Sequence, residues 1–156
     1  MKKAIIALLT LVLLVCCLTG CQKENAEVVN HTAATDAAVS LDDYLTDVKA
    51  QSAAVKTSLE QDALTQTDMN QKSKELRDLW EGALTHLLEK AQQSLTEAEW
   101  TKLTAEQTAW EAERTAAVEA AGKDYEGGSM YALTVNREAA ARAEERVYQL
   151  YERLKQ

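Results

Sequence analysis

The chain has 156 residues with no Pro, no Phe, five Gly and three Cys, and a formal net charge of −8. An all-β domain leans on turn residues that are scarce here, so the composition points to long helices with few connections. The acidity argues against a nucleic-acid binder, because phosphate contacts need a basic face, and it suits a cationic partner.

The start reads MKKAIIALLTLVLLVCCLTGC. Lys2 and Lys3 form a positive n-region, and Ala4 to Leu18 is apolar apart from Thr10. That run is about fifteen residues, short for a membrane span. It ends in Leu18-Thr19-Gly20-Cys21, which resembles the bacterial lipobox: n-region, apolar core, small residues and Cys come in that family's order. The resemblance implies that residues 1–20 are a lipoprotein signal peptide and that Cys21 is acylated and becomes the N-terminus. The protein would then be extracytoplasmic, a lipoprotein anchored to a bacterial membrane through its N-terminal lipid. An ordinary secretory leader with an incidental Cys is the alternative. Losing Lys2 and Lys3 takes the net charge from −8 to −10. Cys16 and Cys17 leave with the leader, so the mature domain holds no disulfide, no thiol nucleophile and no cysteine metal site.

Residues 21–39 are polar, small and without steady periodicity, and read as a flexible tether after the lipidated Cys. The helical domain is expected over 40–156. Ser40 is an N-cap residue with Asp42 and Asp43 in the first turn, and Leu41, Leu45, Val48, Ser52, Val55 and Leu59 then form one seam. Thr65 to Asp68 opens a second helix, with Met69, Ser73, Leu76, Trp80, Ala83 and Leu87 on its seam. Gly82 inside it suggests a close helix approach. Thr96-Glu97-Ala98-Glu99 is a capping box for a third helix, whose seam runs Trp100, Leu103, Gln107, Trp110, Arg114, Ala117 and Ala121. Gly122 is placed to end that helix as its C′ residue.

Gly122, Gly127 and Gly128 mark the clearest loop in the domain, and Ser129 is the expected cap of a fourth helix. Its seam is Leu133, Asn136, Ala140, Ala143, Val147, Leu150 and Leu154. The fold class is therefore all-α, an antiparallel up-down bundle of three to four long helices. The alanines of the third and fourth helices suggest that those two pack closely. The first helix, with the smallest apolar residues, is the candidate for loose packing or self-association.

Catalytic chemistry finds little support. His31 lies in the tether and His86 on a helix flank, and no His-x-x-x-His or Glu-x-x-His pair shares a helical face. The many Glu residues read as a solvated face, so no metal and no cofactor are expected. Gly127-Gly128 lacks the Lys of a phosphate loop. The chain reads as a non-enzyme.

The unusual feature is polarity inside a seam. Gln107, Trp110 and Arg114 fall on one helical face, and a buried guanidinium must be paired. Arg114 is expected to meet a carboxylate or loop carbonyls of the 122–131 segment, and the Gln107 amide another helix.

Gln107-x-x-Trp110-x-x-x-Arg114, then Tyr125-x-Gly127-Gly128-Ser129-Met130, then Arg146-x-x-x-Leu150 resemble the LprI-type lysozyme-inhibitor-like domain family of bacterial envelope proteins. Asp68-Met69-Asn70 resembles that family's start, so Asn70, Gln107, Trp110, Arg114 and Arg146 are the structural motif residues it implies. Two departures stand out. Many relatives carry Cys near the ends of the last two helices, and this domain has none; Ser73 stands where an aromatic is usual.

The resemblance implies a small helical extracytoplasmic domain, and inhibition of lysozyme by a surface lipoprotein. Many lysozymes are basic, so the acidic body would speed encounter. The element for partner contact is the loop of Tyr125, Gly127, Gly128, Ser129 and Tyr131, where aromatics flank a turn. Packing of both tyrosines under the loop, closing the bundle end, is the other reading. The alternative function is a structural or adaptor lipoprotein that holds another envelope protein through its helical faces.

Overall fold

The computed structural model describes residues 39–156. The leader, Cys21 and the tether up to residue 38 lie outside the described residues. The described chain forms α1 (Leu41–Gln61), α2 (Gln66–Ser94), α3 (Glu97–Gly122) and α4 (Tyr131–Leu154), with a 3₁₀ turn at Lys123–Tyr125.

Each of the first three starts is fixed by a side chain. The Ser40 hydroxyl accepts from the Asp43 N–H, and Thr65 with Asp68 and Thr96 with Glu99 form reciprocal capping boxes. The hydrogen bonds from Thr65 and Thr96 hold the Asp68 and Glu99 carboxyls below their ordinary pKa values. The fourth start is different. Its N-cap is Met130, with no side-chain cap bond, so Ser129 does not cap α4.

The helices run up-down-up-down. Tyr44 stacks on His86 at a centroid distance of 4.0 Å and Ser52 meets Trp80, so α1 and α2 are antiparallel. Ser73 meets Asn136 and the Trp80 ring lies 5.8 Å from that of Tyr148, so α2 and α4 are parallel. These two form the closest pair in the bundle. Small side chains permit it: Ser73, Ala83 and Ala91 of α2 and Ala139, Ala140 and Ala143 of α4 are all buried. The close partner of α4 is thus α2, not the alanine-rich α3.

The two remaining helices flank this pair. At 3.6 residues per turn, Glu144, Tyr148 and Tyr151 lie on one side of α4, and Arg146, Gln149 and Arg153 on the other. The first side faces α1, through Lys56–Glu144 at 2.7 Å and the Tyr151 hydroxyl donating to Asp42. The second faces α3, through Arg146–Gln107 at 3.0 Å and Arg153–Glu106 at 2.9 Å. The core is Leu45, Val48 and Val55 of α1, Leu76, Trp80, Leu84 and Leu87 of α2, Leu103 of α3, and Val147 and Leu150 of α4. Trp80 is completely buried and donates its indole N–H to Ser52 Oγ at 3.0 Å.

The first helix is therefore well seated, with four buried residues, whereas α3 buries only Leu103, Gln107 and Gly122. Expectation and structure differ here because α1 meets the core with branched side chains. The alanines of α3 at 98, 105, 109, 112 and 116 instead face solvent, where Ala serves only as a helix former.

The two internal glycines also exchange roles. Gly82 is exposed, and a Cβ there would have nothing within 4 Å, so no helix approaches it. Gly122 is buried and right-handed (φ −77°, ψ −19°), so it is not a left-handed terminator; the chain continues through it into the 3₁₀ turn. A Cβ at Gly122 would sit 2.6 Å from Val135 Cγ1 and 2.7 Å from Tyr131 Cε2. Gly122 is the place where two segments touch.

Candidate functional site

Two groups of residues singled out in the sequence come together in space. The first is the loop between α3 and α4. The Gly128 N–H donates to Tyr125 O at 2.9 Å around Glu126 (φ −54°, ψ 130°) and Gly127 (φ +73°). Those angles make a type II turn, whose third position favours glycine. The Tyr131 N–H donates to Gly128 O at 3.2 Å, which joins the turn to α4.

A latch from α2 holds this loop. Asn70 Nδ2 donates to Ser129 O at 3.1 Å, while Asn70 Oδ1 accepts from Gln66 Nε2 at 2.9 Å. The latch continues inward. Ser73 Oγ donates to Asn70 O at 2.8 Å, Asn136 Nδ2 donates to Ser73 Oγ at 3.3 Å, and Arg77 Nη1 donates to Asn136 Oδ1 at 2.8 Å. Ser73 and Asn136 are both buried, so each must find partners inside the bundle, and each does.

On this fixed loop the large side chains point outward. Tyr125 is 44% exposed, Met130 39% and Tyr131 40%, and they are three of the four large hydrophobics left exposed among the described residues. Neither tyrosine is sealed beneath the loop. The Tyr131 ring rests partly on the bare backbone of Gly122. Asp124 and Glu126 flank Tyr125 and are exposed, with the exposed Lys123 beside them, so the border of the apolar tip is acidic on balance.

The loop occupies the end of the bundle where α1 turns into α2. Residue 39 lies at the opposite end, about 30 Å away by the length of α1.

The second group lies between α3 and α4. Gln107 Oε1 accepts from Arg146 Nε at 3.0 Å, and Arg146 Nη1 donates to Gln149 Oε1 at 3.1 Å. The Trp110 ring stands 5.7 Å from the Arg114 guanidinium and 5.8 Å from that of Arg146, so its face supports two cations. Burial pushes the Arg146 guanidinium below its ordinary pKa, with Glu106 acting the other way. Arg114 and Trp110 are half-buried, at the edge of the core. Arg114 pairs with Glu81 of α2, not with loop carbonyls, because it sits two turns before the loop on the side of α3 that faces α2.

Sequence reading missed the interior of the latch. Ser52, Ser73 and Asn136 did appear as polar residues on otherwise apolar seams, and that was the signal available. Arg77 lies off the seam and gave none. Among the described residues no three His, Cys, Asp or Glu side chains converge as a metal site, and no helix is long and apolar enough to cross a membrane.

A family model described as lysozyme inhibitor LprI matches residues 49–150. The chain belongs to the LprI family. Its match begins inside α1 and ends at Leu150 of α4, so it takes in both groups of residues and the loop. Among curated proteins and solved structures, none matches the chain. The motif residues of the LprI resemblance, Asn70, Gln107, Trp110, Arg114 and Arg146, all make contacts between elements, while Gly127 and Gly128 shape the turn and Ser129 anchors it to α2.

Proposed function

We propose that this protein is an extracytoplasmic lipoprotein, anchored through Cys21, that binds lysozyme and inhibits it. The observation that carries the reading is the LprI family match across residues 49–150. The geometry supports a site for the contact. Tyr125, Met130 and Tyr131 form an apolar tip, held rigid by the Asn70 latch and the type II turn. A rigid tip loses little entropy on docking, and tyrosines give large contact area with few torsions. The tip lies at the end of the bundle remote from residue 39, so a tether there would present it outward. The acidic body and the acidic border of the tip favour a basic partner and raise its encounter rate.

The test is turbidimetric. Residues 22–156, in excess over a basic animal-type lysozyme at low salt, are expected to slow lysis of bacterial cell walls. Added salt should weaken the effect, and Tyr125→Ala with Tyr131→Ala should weaken it further at either salt. Unchanged lysis across the concentration range refutes the reading. A stoichiometric endogenous envelope partner recovered from membranes, together with no lysozyme affinity, replaces it with the adaptor role.

A further inference from the structure

A concave feature opens between α2, α3 and α4, beside the latch but outside the loop. It is a cleft of about 230 Å³ whose polar lining includes Arg77, Glu81, Arg114, Thr115 and Glu119. Its floor is apolar, made by Val118, Val135 and Ala139, and its wall carries two guanidinium groups. That volume holds one residue-sized group, too little for a disaccharide or a nucleotide.

The two arginines differ in what they have left to give. Arg77 is committed: Nη1 to Asn136, and Nε and Nη2 to Asp78 Oδ1 at 3.2 and 2.9 Å. Arg114 is not. Its one hydrogen bond runs from Nη2 to Glu81, and its Nε is shielded from solvent without a partner. A guanidinium offers five donors in a planar fork. The Arg114 guanidinium lies against the Trp110 ring and Glu81; Nε is sealed, so the donors a ligand can reach are Nη1, which makes no hydrogen bond, and the second Nη2 hydrogen. We propose that this cleft binds a carboxylate carried on a small aliphatic group, of the kind found at the C-terminal residue of a peptide, with the Arg114 fork on the carboxylate and the aliphatic part on Val118, Val135 and Ala139.

The surroundings decide between anions. Glu81 and Glu119 stand at the same cleft, so a dianion such as phosphate meets two like charges, whereas a carboxylate brings only one. The Nη1–Nη2 edge of the guanidinium matches the two oxygens of a carboxylate; Glu81 meets Arg114 only at Nη2, and its other oxygen faces Arg77 Nε at 3.8 Å, which leaves Nη1 to the ligand. Thr115 and Glu119 also line the cleft and supply the oxygen acceptors available to the amide N–H that precedes such a C-terminus. This site is independent of the tyrosine tip, and lysozyme binding can fail without touching it.

The experiment is calorimetric titration of the full-length chain with N-acetyl-alanyl-alanine, with the C-terminal amide of the same compound, and with inorganic phosphate. The free carboxylate is expected to saturate one site with a dissociation constant on the order of 1 mM, in keeping with so small a ligand. The amide should not bind, and phosphate should bind more weakly. Arg114→Lys, which keeps the charge and loses the fork, should weaken binding about tenfold. Because Arg114 also pairs with Glu81, Val118→Phe is the second variant: it fills the floor and should abolish binding while the thermal midpoint stays near that of the parent. Equal binding of acid and amide overturns the proposal, as does phosphate binding as tightly as the acid. Saturation unchanged in a folded Val118→Phe overturns it too, and so does no heat with the acid up to tens of millimolar.

Discussion

The same substitution at two glycines should have opposite effects, and the difference can be worked from the contacts. Gly82→Ala lies mid-helix, exposed, with nothing within 4 Å of the new methyl. Alanine there gains helix propensity and restricts the unfolded chain, so stability should rise by about 0.5–1 kcal/mol. Gly122→Ala is also in right-handed backbone, so it starts with a similar gain. Its methyl, however, would lie 2.6 Å from Val135 Cγ1 and 2.7 Å from Tyr131 Cε2, where ordinary contact begins near 3.5 Å. Tyr131 is 40% exposed and its ring can swing outward, but Val135 is β-branched and held on α4. Overpacking of this kind costs about 1–3 kcal/mol, which exceeds the propensity gain. The net expectation is a loss of up to about 2.5 kcal/mol for Gly122→Ala. Urea unfolding followed by far-ultraviolet circular dichroism reads both variants on one baseline. If Gly122→Ala is as stabilising as Gly82→Ala, the contact of the third helix end with α4 is wrong, and with it the seating of Tyr131.

Three further outcomes follow from named contacts. Ser52→Ala removes the acceptor of the completely buried Trp80 indole N–H and should cost about 1–3 kcal/mol in urea unfolding; a loss below 0.5 kcal/mol would mean that the indole is satisfied elsewhere. Asn70→Ala cuts the loop latch at an exposed hydrogen bond, so global stability should fall by less than about 1 kcal/mol. Amide hydrogen exchange of residues 127–131 should nevertheless speed up clearly; unchanged exchange there refutes the latch. Asp68 and Glu99 have folded-state pKa values below their unfolded ones, so they contribute stability that is present above the unfolded value and lost as pH falls through the folded one. The thermal midpoint should therefore begin to drop as pH falls below about 4.5 and keep falling into lower pH. A double variant Asp68→Asn, Glu99→Gln should be less stable at neutral pH and flatter in that window, and an unchanged acid slope would remove the two capping boxes as its cause.

The helices were legible because their seams and caps are local. Ser40, Thr65 and Thr96 sit where a hydroxyl can serve N–H groups three residues on, and the spacing of Leu45 to Val55 or Trp80 to Leu87 follows the helical period. The loop was legible for the same reason, since Gly127 needs a positive φ. Pairing of helices was not local. Alanine buried at 140 and 143 to bring α4 against α2 looks the same in sequence as alanine exposed at 105 and 112 on α3. The roles of Gly82 and Gly122 were hidden similarly, because a neighbour from another helix, Val135, decides which glycine is required. Arg114 was placed on the correct face of α3, but its partner Glu81 belongs to a helix whose rotation the spacing does not fix. Polar residues on apolar seams were the best available sign of interior contacts, and Ser52, Ser73 and Asn136 all turn out to bond across helices or to the backbone.

The motif residues and the exposed residues divide the work of the loop between them. Asn70 reaches across 59 positions of chain to Ser129, and Arg146 across 39 to Gln107. Such bonds fix α4 and its approach loop on the two helices beside it, and they say nothing about what the loop meets. The residues that face outward, Tyr125, Glu126, Met130 and Tyr131, lie among these fixed points and make none of the latch bonds with their side chains. Tyr125, Glu126 and Met130 can therefore vary without loosening the frame, whereas Tyr131 also rests on Gly122, and belonging to the family constrains the fold more tightly than it constrains the partner. Within the proposed inhibitor the two kinds of exposed residue act at different stages. The acidic body and Asp124 and Glu126 act at a distance and set how fast a basic protein arrives, an effect that salt screens. The tyrosines act only in contact and set how long it stays, because most affinity differences among related complexes lie in dissociation. Salt should slow arrival and leave the lifetime nearly unchanged, whereas loss of a tyrosine should shorten the lifetime and leave arrival nearly unchanged.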